Sequence, residues 1–289
     1  MMTQPPSGRS PQAPDRRLTI HPGAVAMTIA GSDPSGGAGL QADLKAFEQN
    51  GVYGQAVVTL ITVQNTLGVK RIETLQPDLI AQQILAAADD IPPRAIKTGA
   101  LGNAAMVHRV AETLESVATT VVVDPVLISK HGDRLAGDDV AAAYQDSLMP
   151  ICQVFTPNRY ETQQIIGREL TTIDDMVAAA DELLQRGPST VLIKAGSIDG
   201  VRQHFFACNN GIQRIEIDDV DSSNTHGAGC SLSAVIAARL AIAPEPHDDQ
   251  TILAACRFAI AAVHHGITLS QGLGQGHSPL ESQALKFGD

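Results

Sequence analysis

Ala30-Gly31-Ser32-Asp33-Pro34-Ser35-Gly36-Gly37-Ala38-Gly39 follows the apolar run Ala24–Ala30 and leads into Leu40–Gln49, where Leu40, Leu44 and Phe47 fall at helical spacing. A buried strand that runs into a glycine-rich turn and then a helix is the opening unit of an α/β fold. The same alternation continues outward. Ala56–Ile61 is strand-like, Pro77 opens a helix to about Ala88, Arg94–Lys97 is a strand, and Asn103–Leu114 is a helix with Asn103 as its N-cap. Thr119–Val123 is a β-branched strand. Asp138–Leu148, Val154–Thr156, Asn158–Ile166, Thr172–Arg186 and Val191–Lys194 extend the pattern. His204–Cys208 and Gln213–Ile217 flank Asn209-Asn210-Gly211 and predict a β-hairpin. Gly227–Leu240 and Thr251–Leu269 are the last helices. The expected fold is α/β, a central mostly parallel sheet with helices on both faces, over one domain spanning residues 24–289. In such folds ligands sit beyond the carboxyl ends of the strands, so motifs just after strands carry the most weight.

Composition narrows the function. Apolar residues are 44% of the 289-residue chain, charged residues 18% and aromatics 3%, with no Trp, which suits an aliphatic core between sheet and helices. A formal charge of −11 argues against nucleic acid as a partner, since that needs a basic face. Cys152, Cys208, Cys230 and Cys256 form no C-x-x-C pair and read as reduced thiols of a cytoplasmic protein. No apolar run is expected to approach the ~18–20 residues of a membrane span. Met1–Arg17 has four prolines and no apolar core of a signal peptide, so residues 1–23 are expected to be a disordered leader.

Three clusters look chemical. The first is the glycine-rich stretch, where missing side chains let backbone approach a ligand. Gly37-Ala38-Gly39-Leu40-Gln41-Ala42 also fits the loose dinucleotide pattern, but the next strand leads to Gln64-Asn65-Thr66 rather than to a ribose-binding acid. The second is Asn224-Thr225-His226-Gly227-Ala228-Gly229-Cys230, small residues opening an apolar helix. Their N–H groups at the positive helix end make an anion site, and no Gly-Lys pair offers a Walker alternative. Cys230 in the first turn is expected to have a lowered pKa and to serve as a general base; the other three cysteines are expected to be inert core residues. The third joins Asp124-Pro125 at a strand end to Thr156-Pro157-Asn158 and Glu161. Asn158 and Glu161 share a helix face and suit Mg²⁺ through its waters, or form a capping box. Lys194 ends a strand before Ala195-Gly196 and can reach a phosphate. The adjacent His264-His265 pair is not expected to bind metal, since neighbouring helix residues face apart.

Taken together, these stretches, with Gln41-Ala42-Asp43-Leu44-Lys45, Lys97-Thr98-Gly99 and Leu192-Ile193-Lys194, resemble the hydroxymethylpyrimidine (phosphate) kinases of thiamine biosynthesis, within the ribokinase-like superfamily. The resemblance runs from about Ala24 to Pro279. It implies ATP-dependent phosphorylation of the hydroxymethylpyrimidine and of its monophosphate. It places Asp43 and Gln64 on the aminopyrimidine, with Gly31 and Ala100 lining that pocket. Asp124, Asn158 and Glu161 would organise Mg²⁺, and Lys194, Thr225 and Asn158 would contact ATP. Gly227, Ala228 and Gly229 would form the anion hole, with Cys230 as base. A homodimer is implied, and a monovalent-cation requirement stays open. Three departures stand out. Ala100 replaces a commoner Met, Ala228 replaces a commoner Thr, and Leu127–His131 differs from the usual loop. Ala100 and Ala228 keep a pyridoxal or pyridoxine kinase as the second reading, and a non-catalytic pyrimidine sensor is a third.

Overall fold

The computed structural model describes residues 21–286 apart from 129–131, 133–136, 138 and 199. The expected leader thus falls mostly outside the described residues, as do Ser129, Lys130 and His131 of the divergent loop. At the inner edge of the leader, three residues before Ala24, His21 N–H donates to Gly51 O at 3.1 Å.

The fold is one nine-stranded sheet in the order β3-β2-β1-β4-β5-β6-β7-β8-β9. The strands are β1 Val25–Ser32, β2 Tyr53–Asn65, β3 Gly68–Thr74, β4 Ala95–Thr98, β5 Thr120–Val123, β6 Val154–Phe155, β7 Thr190–Ile198, β8 Val201–Cys208 and β9 Gly211–Asp218. From β2 to β7 neighbouring strands are parallel; β3 at one edge and β8–β9 at the other are antiparallel. The helices are α1 Gly39–Gln49, α2 Pro77–Asp90, α3 Ala104–Leu114, α4 Val140–Ala143, α5 Arg159–Ile166, α6 Ile173–Leu184, α7 Ala228–Ile242 and α8 Asp249–Leu269.

Period-two alternation sends each strand's side chains to two cores. Met27, Ile29, Ile96, Val121, Val123 and Phe155 face the α2–α6 side. Ala26, Ala95, Val122, Val154, Leu192 and Phe206 face α1, α7 and α8. Because both faces are covered, the central strands are mostly apolar, with Thr28, Lys97 and Thr98 among the buried exceptions. α7 lies against the sheet between α1 and α8 and is buried on nearly every side, which explains its lack of a polar face.

Several expectations needed revision. β3 was not foreseen, and β2 and β7 run further than expected. Asp138–Leu148 is not one α-helix: four α-helical residues pass into a π-helical turn at Tyr144–Leu148. α8 is 21 residues long and holds an 18-residue window with a mean hydropathy of 1.5, 56% of it buried inside the fold; Arg257, His264 and His265 interrupt its apolar run. Elsewhere local chemistry acted as read. Asn103 caps α3 by accepting from Met106 N–H, and Asn209-Asn210 turns β8 into β9.

Candidate active site

β1 delivers Asp33 to the carboxyl edge of the sheet, where it organises the glycine loop. Its carboxylate accepts from Ser35 N–H (2.8 Å) and Ala38 N–H (2.9 Å), and its own N–H donates to Gln41 Oε1 (2.9 Å). Asp33 Oδ2 also lies 2.8 Å from His226 Nε2, which joins this loop to the start of α7. Burial would raise the Asp33 pKa, but hydrogen bonds with His226, Gln64 and Ser35 outweigh it and hold the carboxyl well below the ordinary range.

The two glycine motifs touch backbone to backbone. A Cβ on Gly227 would stand 1.8 Å from Gly37 O, and Gly227 has φ +76°; a Cβ on Gly39 would stand 2.2 Å from Gly31 O. Gly227 is the N-cap of α7 and no side chain caps that helix. Ala228 N–H turns back to Thr225 O at 3.2 Å. Behind this turn the C-terminal segment closes the structure: His226 N–H donates to Ser278 O (3.0 Å), and His277 N–H donates to Thr66 O (2.8 Å) at the β2–β3 turn.

β5 and β7 place Asp124 and Lys194 side by side, Oδ1 to Nζ at 2.6 Å. Ser233 Oγ lies 3.2 Å from Asp124 Oδ2, and Lys194 Nζ lies 3.4 Å from where a Cβ on Gly229 would be. The ammonium therefore sits at the helix start. Asn158 and Glu161 do form the capping box: Glu161 N–H donates to Asn158 Oδ1 (2.9 Å), and Asn158 N–H donates to Glu161 Oε2 (2.7 Å). Burial pushes Glu161 up to about 7; Lys194 pulls the other way and the nearby Asp124 charge adds to the rise. For Lys194, burial opposes the charge, but Asp124 and Glu161 hold the pKa above its usual value. Among the described residues no group of three or more His, Cys, Asp or Glu side chains is arranged as a self-sufficient metal site.

Two expectations fail here. Asp43 does not face the cleft. Its fully buried carboxylate accepts from Thr28 Oγ1 (2.5 Å) and pairs with Lys97 Nζ (2.8 Å), because α1 turns that face onto β1 and β4. Burial raises Asp43 while Lys97 pulls it down. The Cys230 thiol is not lowered by its helix position. Burial pushes it up to about 11, against the opposing charge of Lys97 and a backbone hydrogen bond from Gly39. Cys152, Cys208 and Cys256 are buried, as expected of core thiols.

The remaining expected residues converge. A cavity of about 440 Å³ is lined by Gly31, Gln64, Ala100, Asp124, Asn158, Glu161, Lys194, Thr225, Gly227, Ala228, Gly229 and Cys230. A second, of about 400 Å³, has apolar walls from Ile217 of β9, Val220 just after it, Leu232 of α7, and Ile260, Val263 and Ile267 of α8. His264 lines this second cavity too. Both share Asn158, Lys194, Gly196, Thr225, Ala228 and Gly229. The cavities thus meet at the uncapped start of α7. Sequence reasoning assigned no role to Asp33, Lys97, Arg159 or His226, which also line the first cavity; Asp33 and His226 lay inside quoted motifs, but only the fold brings them together.

The fold is ribokinase-like, and solved vitamin kinases superpose on it. Staphylococcus aureus pyridoxal kinase in complex with pyridoxal aligns with a TM-score of 0.80 at 31% identity, covering 90% of this chain and 93% of that one. Clostridium difficile phosphomethylpyrimidine kinase aligns with a TM-score of 0.70 at 36% identity, covering 83% and 99%. The profile of the phosphomethylpyrimidine kinase family matches residues 33–281, and the chain belongs to that family. Among its relatives, the hydroxymethylpyrimidine/phosphomethylpyrimidine kinase of Synechococcus elongatus is 39% identical over 258 residues, 89% of this chain and 96% of that protein. The Bacillus subtilis protein of the same name is 36% identical over 264 residues, 90% and 95%.

Proposed function

We propose that this protein transfers the γ-phosphoryl group of ATP to the hydroxymethyl oxygen of 4-amino-5-hydroxymethyl-2-methylpyrimidine, and then to the phosphate of the monophosphate so formed. The observation that carries this reading is the meeting of two cavities at the start of α7. The first, with Gly31, Gln64 and Ala100, takes the acceptor; the second, with its apolar walls, takes the nucleotide. The γ-phosphoryl group then lies where they join, beside Lys194, Thr225 and Asn158.

In the first step the acceptor oxygen forms a bond to the γ-phosphorus while the bond to the β,γ-bridging oxygen breaks, leaving ADP. N–H groups around Gly227, Ala228 and Gly229 and the Lys194 ammonium stabilise the charge that builds on the transferring group. Only the Cys230 thiolate can take the alcohol proton, becoming the thiol. Its raised pKa keeps that form a small fraction at neutral pH, and a loose transition state asks little of the base. The second acceptor is a phosphate monoester, already largely ionised, and needs Cys230 less. Asp43 supports the acceptor floor through Lys97 rather than by contact.

Asp124 and Glu161 are two buried carboxylates sharing one ammonium, a surplus of negative charge, while burial is the main cause of the raised Glu161 pKa and Asp124 adds to it. That surplus fits a divalent cation. Because the carboxylates already have protein partners, they and Asn158 would hold Mg²⁺ mainly through its waters and the phosphate oxygens. Mg²⁺ bound with ATP supplies charge neutralisation at the β- and γ-phosphates.

We further read residues 24–289 as one cytoplasmic kinase unit that forms a homodimer. Ile61, Val63 and Leu67 at the β2–β3 end are 50%, 52% and 60% exposed and support a partner there. Pyridoxal is the second acceptor to consider, since the Staphylococcus aureus pyridoxal kinase aligns closely and Ala100 leaves room. Coupled ATP turnover with Mg²⁺ on hydroxymethylpyrimidine, its monophosphate and pyridoxal tests the reading. Preference for the pyrimidine pair supports it, preference for pyridoxal changes the substrate, and no turnover on any acceptor overturns it.

A further inference from the structure

We infer that Arg159 clamps the phosphate of the acceptor in the second phosphorylation, an assignment that rests on the function proposed above. Three Lys or Arg side chains line the first cavity: Lys97, Lys194 and Arg159. Lys97 is committed to Asp43 and Lys194 to Asp124, each in a short ion pair. Arg159, half-buried at the first position of α5, has no hydrogen bond or ion pair among the described residues. Glu161, two residues on, does not occupy it. That carboxylate takes its hydrogen bond from Asn158 N–H and its counter-charge from Lys194.

Position decides which phosphate Arg159 serves. Lys194 and Asn158 line both cavities and stand where a nucleotide's terminal phosphate meets the acceptor, whereas Arg159 lines only the acceptor cavity. The two acceptors differ in charge. The alcohol is neutral, while its monophosphate brings about −1.5 to −2 charges at pH 7 into a cleft that already holds Asp124 and Glu161. A second phosphate beside the γ-phosphoryl group needs a cation of its own. A guanidinium suits this role, because its planar fork donates two parallel N–H groups to phosphate oxygens.

The test compares wild type with Arg159→Gln and Arg159→Lys, measuring kcat and KM for the alcohol, the monophosphate and ATP separately. Losing one charge-assisted clamp corresponds to on the order of tenfold. Arg159→Gln should raise the monophosphate KM at least tenfold more than it raises the alcohol or ATP KM, and Arg159→Lys should recover part of the loss. Equal changes on both acceptors, or a dominant change in the ATP KM, would overturn the assignment. Calorimetric titration with the monophosphate and the alcohol, without nucleotide, decides the point independently of turnover. If wild type phosphorylates neither acceptor, the functional reading fails. The clamp then stands only if Arg159→Gln weakens monophosphate binding selectively, and falls if it does not.

Discussion

Asp33 and His226 are 193 positions apart in the chain and 2.8 Å apart in space. One contact thus joins the glycine loop after the first strand to the turn that opens α7. Asp33 is 1% exposed, so removing its carboxylate takes the acceptor from the Ser35 and Ala38 N–H groups and one contact from His226. Asp33→Ala should cost about 3 kcal/mol of stability, read from urea unfolding. The sign of its pH dependence is set by a folded pKa below the unfolded one. The wild-type advantage is complete above pH ~5 and shrinks as pH falls below the ordinary carboxylate value and on toward the folded one. A gap that stays constant down to acid pH would contradict this.

Gly227 and Gly229 lie two residues apart and should respond differently. Alanine at 227 puts a Cβ 1.8 Å from Gly37 O at a φ of +76°, so Gly227→Ala should lose about 2 kcal/mol or more of stability and most activity. Alanine at 229 meets only the end of Lys194 at 3.4 Å. Gly229→Ala should melt close to wild type while kcat falls. Thermal melts paired with turnover separate the two; a large drop in Tm for Gly229→Ala would be the contrary result.

Cys230 is partly exposed while the other three cysteines are buried, so mild alkylation should label it selectively. Its iodoacetamide rate in the ligand-free protein should rise with pH toward a midpoint near 11, well above that of an ordinary thiol. A midpoint at or below 8 would restore the helix-dipole expectation. Cys230→Ala should slow phosphorylation of the alcohol more than that of the monophosphate.

Glu161 carries a pKa raised from 4.5 to about 7. A carboxyl that binds its proton more tightly when folded favours folding at low pH and loses that contribution as pH rises through the folded value. Without Mg²⁺ or ATP, wild type should therefore lose stability relative to Glu161→Gln between pH 4.5 and about 7. Melts across that window check it, and parallel curves would count against a raised Glu161.

What could be read beforehand followed from periodicity and motif order. The alternation of β-branched strands with helices gave the parallel sheet, because strands covered on both faces are mostly apolar. β3 escaped notice because it is an edge strand carrying Lys70, Arg71 and Glu73, with a turn at Thr66-Leu67 that lacks the usual Asn-Gly signal. Gly31, Asp124 and Lys194 were legible as motif residues at or near the expected strand ends, whereas Asp33, in the same glycine motif as Gly31, was not, because its contact with His226 exists only in the fold. The role expected of Asp43 rested on the family resemblance, which cannot tell whether a carboxylate meets the ligand or a buried lysine. The direction of the Cys230 shift was missed because a helix dipole is visible in sequence, whereas burial is a property of the assembled fold.

The closure of His226 by Ser278, and of Thr66 by His277, has a consequence for biosynthesis. In synthesis β1 and its glycine loop come long before His277 and Ser278. A nascent chain that already holds all nine strands of the sheet therefore still lacks the strap that fixes the turn at His226.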